Sequence, residues 1–415
     1  MSSQSARDII AQFSNWAVIS LFFLAILSPA TRMLMLPRDN WSPSENRLLA
    51  ALPPPPKTMD NVAAWRSGID AYLSDHFGFR QWYIRHYQHQ LIRFFDVIPA
   101  SVPVLKGRGG WYFFTMFGLI DDFYGRTPLK RQQIQAWIAA QEAKKRWLEE
   151  RGIRYLLLIP PNKQSIYPQM VAAGALTKRG QSRYDQLLAE LGGQTPDFMP
   201  DLRWILRTDA EGAEPLYYQT DSHWNDFGAY LAFHEMMKHL SAWFPEADFI
   251  THFDIISHVN GRGGNTGRGG DLAHMMMRRD LRESYPQFAY FRRDFKRLPR
   301  PCPLSDIPRE PDRRSYLTRA ASPDKKPRVL IFRDSFFVPM VPLVATNFDE
   351  ALFLWKSYDQ KNVEEALSCF KPDVVIEEIV ERHMFDFILE KEKKPDAANI
   401  SAGAPANTSA GAPSP

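Results

Sequence analysis

Two short segments of this 415-residue chain hold residue types that could do chemistry. The first is TDSHWNDFGAY, Thr220 to Tyr230, where Asp221 and His223 stand two apart just ahead of a helical pattern. A histidine with a carboxylate in reach is what a general base requires. The carboxylate fixes the tautomer and stabilises the imidazolium. Asp226 stands where a negative charge favours a helix N-terminus. Taken alone, Asp-x-His also suits a helix cap beside a structural histidine. The second segment is VLIFRDSFF, where Ser335 follows a run suited to a buried strand and precedes an expected helix. In open α/β sheets functional groups collect at the carboxyl ends of strands. A serine at a strand-to-helix turn can expose its hydroxyl, and the amides of the next helix can bind an oxyanion. An ordinary N-cap serine is the alternative. Together the segments supply a nucleophile, a base and an orienting acid on one expected sheet. No Gly-x-Ser-x-Gly elbow surrounds Ser335, which argues against an ordinary α/β-hydrolase.

The elements that must position these groups alternate between strand and helix. A helix is expected from about Leu129 to Arg151, then a buried strand in IRYLLLIPP, Ile153 to Pro161. Further helices fall near Ser182–Leu191 and over Asp226–Phe244. Residues 257–325 read as loop-rich. Beyond the strand before Ser335, ALFLWKS and DVVIEEIVE read as strands, with Val363, Ala366, Leu367 and Phe370 on one face of a helix between them. This alternation predicts a three-layer α/β/α sheet. Upstream, two amphipathic helices carry Val62, Trp65, Ile69, Tyr72 and Leu73, then Trp82, Tyr83, His86, Leu91 and Phe94. GRGGWYFF, Gly107 to Phe114, reads as a turn entering an aromatic strand. The expected organisation is an anchor or signal segment over 1–36, a Pro-rich linker over 37–60, one domain over 61–388, and a disordered tail over 389–415 in which SAGAP occurs twice.

Composition removes several function classes. With 45% apolar residues the chain is not wholly disordered, and only one uncharged run is long enough to span a bilayer. A net charge of +4 is too balanced to argue for nucleic acid. Two cysteines, Cys302 and Cys369, exclude a disulfide scaffold and a Cys-rich zinc site. They could form one disulfide or remain two thiols. No His, Cys, Asp or Glu spacing matches a metal site, and no cofactor is expected. GRGGNTGRGGD, Gly261 to Asp271, lacks the phosphate-loop pattern and reads as a loop. RRDFKR, Arg292 to Arg297, reads as a solvated face that could attract an anionic polymer. No charge occurs between Asp8 and Arg32, which suggests an uncleaved signal anchor. A cleaved signal peptide or a buried core helix are the alternatives. Arg32 and Arg38 lie downstream, so positive charge does not fix the orientation.

The motifs, taken in order, resemble the SGNH-hydrolase-like alginate O-acetyltransferase family, which acetylates exopolysaccharides in the bacterial periplasm. The resemblance covers most of residues 45–383. It runs through ENRLLAALP, DHFGFR at Asp75–Arg80, GRGGWYFF, IPPNKQSIYP at Ile159–Pro168, TDSHWNDFGAY, FRDSF and PDVVIEEIVER. It implies an SGNH-like fold with rearranged motif order, because Asp and His here precede Ser. It implies Ser335 as nucleophile, His223 as base and Asp221 as orienter. Arg333 stands where a glycine is usual. The Ser335 amide is one candidate oxyanion donor, and Asn162 or a glycine of Gly261–Gly270 is another. Lys163, Arg333 and Tyr358 could line a pocket for an acidic sugar. The implied partners are an exopolysaccharide acceptor, a multi-spanning membrane O-acyltransferase that supplies acetyl groups, and the inner membrane through the N-terminal helix, with the domain in the periplasm. An acetylesterase with the same triad and a catalytically silent glycan-binding subunit are the rival readings.

Overall fold

The computed structural model describes residues 3–35, 41–42, 47–172, 174–210, 212, 214–252, 255–261, 263, 269–278, 280–288, 295–299, 315–321 and 326–393. The chain forms two compact units: Met1–Val104 with Leu272–Asp280, and Leu105–Asp271 with Leu281–Pro415.

The first unit carries three helices: α1 (Ser3–Met35), α2 (Val62–His76) and α3 (Arg80–Phe95). Within α1, Ser14–Met33 is apolar and long enough to cross a membrane. At 1.5 Å per residue, its 20 residues extend about 30 Å, the thickness of a hydrocarbon core. The turn between α2 and α3 packs against α1 at Pro29. A Cβ on Gly78 would lie 2.0 Å from the Pro29 carbonyl oxygen, so only glycine allows this approach. The Arg32 guanidinium stacks on the Phe79 ring at 4.8 Å.

The second unit is built on a six-stranded sheet. Its strands are β1 (Arg154–Leu158), β2 (Phe295–Leu298), β3 (Tyr316–Ala320), β4 (Val329–Phe332), β5 (Glu350–Leu354) and β6 (Val374–Glu378). They lie in the order β1-β6-β4-β5-β3-β2. The first four in that order are parallel, while β3 runs antiparallel to β5 and β2 antiparallel to β3. RYLLL, VLIF, EALFL and VVIEE read as near-continuous apolar runs because both faces of this parallel core are covered. Leu156, Leu158, Val329, Ile331, Ala351, Phe353 and Ile376 face one layer, which holds α6 (Asp226–Trp243) and α7 (Val341–Asn347). Tyr155, Leu157, Leu330, Phe332, Leu352, Leu354 and Val375 face the other. That layer holds α4 (Arg131–Glu149), α5 (Arg183–Glu190), α8 (Gln360–Leu367) and α9 (Asp386–Lys393). Each such fully buried aliphatic side chain contributes about 1.5–3 kcal/mol of transfer free energy. The expected α/β/α layering is what the chain adopts.

Three details differ from the sequence reading. The segment read as loop-rich supplies the edge strands β2 and β3, whose exposed Lys296 and Arg297 break the apolar pattern of an interior strand. The helix expected directly after Ser335 starts later: a 3₁₀ turn at Val338–Met340 leads into α7, with Pro339 and Pro342 at the two starts. Helix α9 continues past residue 388, where the tail was expected to begin. Residues 394–415, Cys302, most of the Gly261–Asp271 glycine run and Arg292–Asp294 lie outside the described residues.

Candidate active site

Asp221 and His223 sit on a short loop that doubles back between Leu216 and Asn225. Tyr217 and Trp224 bridge its two arms, and the Asn225 amide donates to the Leu216 carbonyl at 2.9 Å. Asn225 caps α6, and Asp226 stands in its first turn as expected: the Asn225 Oδ1 accepts from the Phe227 and Gly228 amides at 3.0 and 3.1 Å. The loop has few backbone bonds of its own, and buried side chains supply the rest. The Lys163 ammonium donates to the carbonyls of Tyr112 (2.6 Å), Gln219 (2.9 Å) and Asp221 (3.0 Å), which uses all three of its protons. From the other side, the Glu283 carboxylate accepts from the Gln219 and Thr220 amides and from the Thr220 hydroxyl. Gly270 passes so close that a Cβ would lie 2.0 Å from the Thr220 carbonyl oxygen. This contact delivers the next residue, Asp271, to the site. The Asp271 amide donates to Asp221 Oδ2 at 3.1 Å, and its carboxylate accepts from the Ser222 amide at 2.7 Å and the Ser222 hydroxyl at 2.5 Å.

Ser335 lies three residues past the end of β4, at the carboxyl edge of the sheet. The register of β4 between β5 and β6 fixes where the strand ends. Asp334 then ties the turn: its Oδ1 accepts from the Phe336 amide at 2.7 Å, and its Oδ2 from the Val380 amide at 3.0 Å. The Asp334 amide donates to Glu378 Oε2 at 2.8 Å. Burial, and then the Asp334 charge, hold the Glu378 carboxyl well above its usual pKa. The Trp224 indole donates to the Phe336 carbonyl at 2.7 Å, linking this turn to the Asp-x-His loop.

The two loops meet in one hydrogen-bonded chain. Asp221 Oδ1 lies 2.6 Å from His223 Nδ1, and His223 Nε2 lies 2.7 Å from Ser335 Oγ. The His223 amide also donates to Asp221 Oδ1 at 2.9 Å, which fixes the carboxylate relative to the ring. Burial disfavours the imidazolium, but the Asp221 charge and hydrogen bond, with Asp271 behind, raise the His223 pKa above its ordinary value. Burial works against the Asp221 carboxylate as well; the charge of His223 and the hydrogen bonds it receives still leave its pKa lowered. Asp271 is raised, by burial first and the Asp221 charge second. The arrangement can draw a proton from the Ser335 hydroxyl and hold it on an imidazole of fixed tautomer.

Asp221, His223 and Asp271 also form the cluster whose ligand atoms lie within 4.8 Å of one another. Those atoms are already engaged: Nδ1 with Asp221, Asp221 Oδ2 with an amide, and both Asp271 oxygens with Ser222. The donor set fits a hydrogen-bonded histidine better than a cation.

The other residues expected at the site divide. Arg333 and Tyr358 line one cavity of about 650 Å³, together with Lys144, Lys356 and Phe387. The Arg333 guanidinium stacks on Trp355 at 4.6 Å. Lys163 does not join them. It is buried beneath the Asp-x-His loop, and burial lowers its pKa to about 7 even though Glu283, Asp221 and Asp271 pull it upward. Asn162 is buried at the start of a short helical turn, where its amide donates to Glu381 Oε2 at 2.6 Å. The sequence reading passed over Asp271, Glu283 and Arg382. Asp271 closes a glycine run taken for plain loop. Arg382 stacks on the Phe336 ring at 5.1 Å, and that ring contacts the His223 ring at 4.7 Å.

The three-layer sheet and the Asp-His-Ser order define an SGNH-hydrolase-like domain of rearranged topology. Residues 104–294 match the family described as "SGNH hydrolase-like domain, acetyltransferase AlgX". The resemblance read from the motifs therefore holds over this stretch, which includes Asp221 and His223. A "Probable alginate O-acetylase AlgJ" of Pseudomonas aeruginosa is 27% identical over 129 residues, 30% of this chain and 30% of that protein. Among solved structures, the O-acetyltransferase domain of Pseudomonas putida AlgJ is similar at 16% identity and a TM-score of 0.41, over 70% of this chain and 99% of that one. Bacillus cereus PatB1 is similar at 13% identity and a TM-score of 0.45, over 61% and 91%.

Proposed function

We propose that this protein is an O-acetyltransferase that moves an acetyl group, through an acetyl-Ser335 intermediate, onto hydroxyls of an exopolysaccharide. The hydrogen-bonded chain from Asp221 through His223 to Ser335 carries the reading. Ser335 Oγ attacks the donor's acetyl carbon while its proton passes to His223 Nε2. The tetrahedral adduct collapses, and the leaving group takes that proton. An acceptor hydroxyl then gives its proton to His223 and attacks the acetyl carbon; as the adduct collapses, Ser335 Oγ leaves and takes that proton back. Asp221 keeps the imidazole in the tautomer that can receive each proton. The Arg382 guanidinium beside Phe336 supplies fixed positive charge near the site, which suits a developing oxyanion or an acidic sugar. A well-oriented acceptor can outcompete water, because effective molarities of about 10⁵–10⁸ M are attainable in bound pairs. The family relationship supports the exopolysaccharide as acceptor and a periplasmic site on the inner membrane. A multi-spanning acyltransferase as the source of acetyl groups is part of this proposal.

The test is a product assay on the full-length protein in detergent, with a small acetyl ester and with or without an alginate oligosaccharide. Acetylated sugar at the expense of free acetate is the expected result. Free acetate alone in both arms identifies an esterase instead. Binding of the oligosaccharide with no acetate released in either arm identifies a glycan-binding subunit.

A further inference from the structure

The exposed face of α3 has no role in the chemistry above. Tyr87 is 62% exposed, Tyr83 44%, Trp82 51% and Phe95 69%. With successive residues 100° apart, Tyr83, Tyr87 and Phe94 fall within an arc of about 40°. Gln88 and Ile92, both buried, lie on the opposite side of the helix. Tyr83, Tyr87 and Phe94 therefore form one outward-facing aromatic stripe, with exposed Trp82 and Phe95 about 120° and 100° from its centre on either flank. Its sequence, RQWYIRHYQHQLIRFF, holds three arginines and no carboxylate. Its N-terminal turn is fixed to α1: Gly78 sits against the Pro29 carbonyl, and Phe79 lies under Arg32. Pro29 precedes the end of the apolar stretch, Met33, by four residues, about 6 Å along the helix.

We propose that α3 is a membrane-surface helix, with its aromatic face at the boundary of headgroups and acyl chains of an anionic bilayer. The proposal rests on the reading of α1 as a membrane span. Given that span, the Pro29–Gly78 contact sets the start of α3 at the interfacial depth of about 5–10 Å that amphipathic helices occupy. Aromatic residues concentrate at that depth, and a helix with cations and no anions is drawn to acidic headgroups. The enzyme would then be held to the bilayer along a surface as well as through a single span.

The experiment places a spin label at Tyr87→Cys in the full-length protein, reconstituted in phosphatidylethanolamine–phosphatidylglycerol liposomes. Matched labels go at Ser20→Cys within the span and at Lys145→Cys on α4. Collision with oxygen, which partitions into lipid, is compared with collision with a water-soluble nickel chelate. The expected result is a several-fold lower nickel accessibility at 87 than at 145, with the 20 label deep in lipid. Phosphatidylcholine alone should weaken the effect at 87 and leave 20 unchanged. If 20 is deep while 87 is as accessible to nickel as 145, or is shielded from both reagents as at a protein contact, the proposal is overturned and the span stands. If 20 itself is aqueous, both are overturned.

Discussion

The two loops that carry the candidate chemistry are held in opposite ways. The Ser335 turn hangs from the sheet. The pairing of β4 with β5 and β6 decides where the strand ends, Asp334 ties the next residues down, and one distant carboxylate, Glu378 on the neighbouring β6, accepts from the Asp334 amide. The Asp221–His223 loop does not continue a strand of that sheet; one strand amide, Tyr112, reaches its Gln219 carbonyl at 3.0 Å. Charged side chains from distant segments cage it: Lys163 from 58 residues before Asp221, and Glu283 and Asp271 from far beyond it. A nucleophile placed by backbone register tolerates side-chain change around it. A base placed by buried charges does not, because removing one partner leaves the others unsatisfied in a low-dielectric interior.

The largest break in this comparison comes from Lys163→Met. Three carbonyls lose their donor and Glu283 loses a neighbouring cation, so the domain should lose about 3–5 kcal/mol, read as a fall in Tm, together with most of its activity. A substitution beside the nucleophile that keeps the strand, Phe337→Leu, should cost less than half as much in the same melting experiment. Equal losses would mean the two loops are held alike.

Asp271→Asn sharpens the comparison within the cage. The asparagine keeps the backbone amide on Asp221 and one acceptor for Ser222 but removes the charge behind His223. Acetyl transfer should fall about tenfold, on the order of 1.4 kcal/mol in the barrier, with Tm little changed. An unchanged rate would leave Asp271 with a purely structural part.

The smallest effect is a displacement of the acid limb of kcat/KM for the acetyl donor. His223 must be neutral to act as base, and its raised pKa places the limb above the ordinary histidine value of about 6.5. Asp221→Asn removes the charge that raises the pKa, so the residual activity should titrate at lower pH. Arg382→Gln removes a charge that lowers it, so the limb should move to higher pH. Shifts in the same direction in both variants would contradict this electrostatic account.

Much of the site was legible because its signals are local. A buried run ending in Arg333-Asp334-Ser335 marks the edge of a sheet, and Asp-x-His ahead of a helix marks a paired base. The alternation of apolar runs with amphipathic helices likewise gave the three layers. What escaped were relations between distant segments. Nothing in IPPNKQSIYP says that Lys163 turns inward to three carbonyls rather than outward to a sugar. A lysine reads as exposed unless the fold supplies partners, and these lie on other segments. Asp271 escaped because a glycine run looks like a flexible loop, whereas Gly270 serves to bring it close to Thr220. The edge strands β2 and β3 escaped because one face of an edge is polar, so their pattern carries too little apolar periodicity.

The claim on which the rest depends is that Ser335, His223 and Asp221 react as one unit. Intact-protein mass after brief exposure to a small acetyl ester tests it most directly, with Ser335→Ala and His223→Ala beside the wild type. The account predicts one added acetyl on the wild type, mapped to Ser335 and discharged faster when an alginate oligosaccharide is present. It predicts none on Ser335→Ala, and acylation slowed by on the order of 10³-fold or more in His223→Ala. An acetyl group that forms equally on all three proteins, or that maps to another residue, would contradict it.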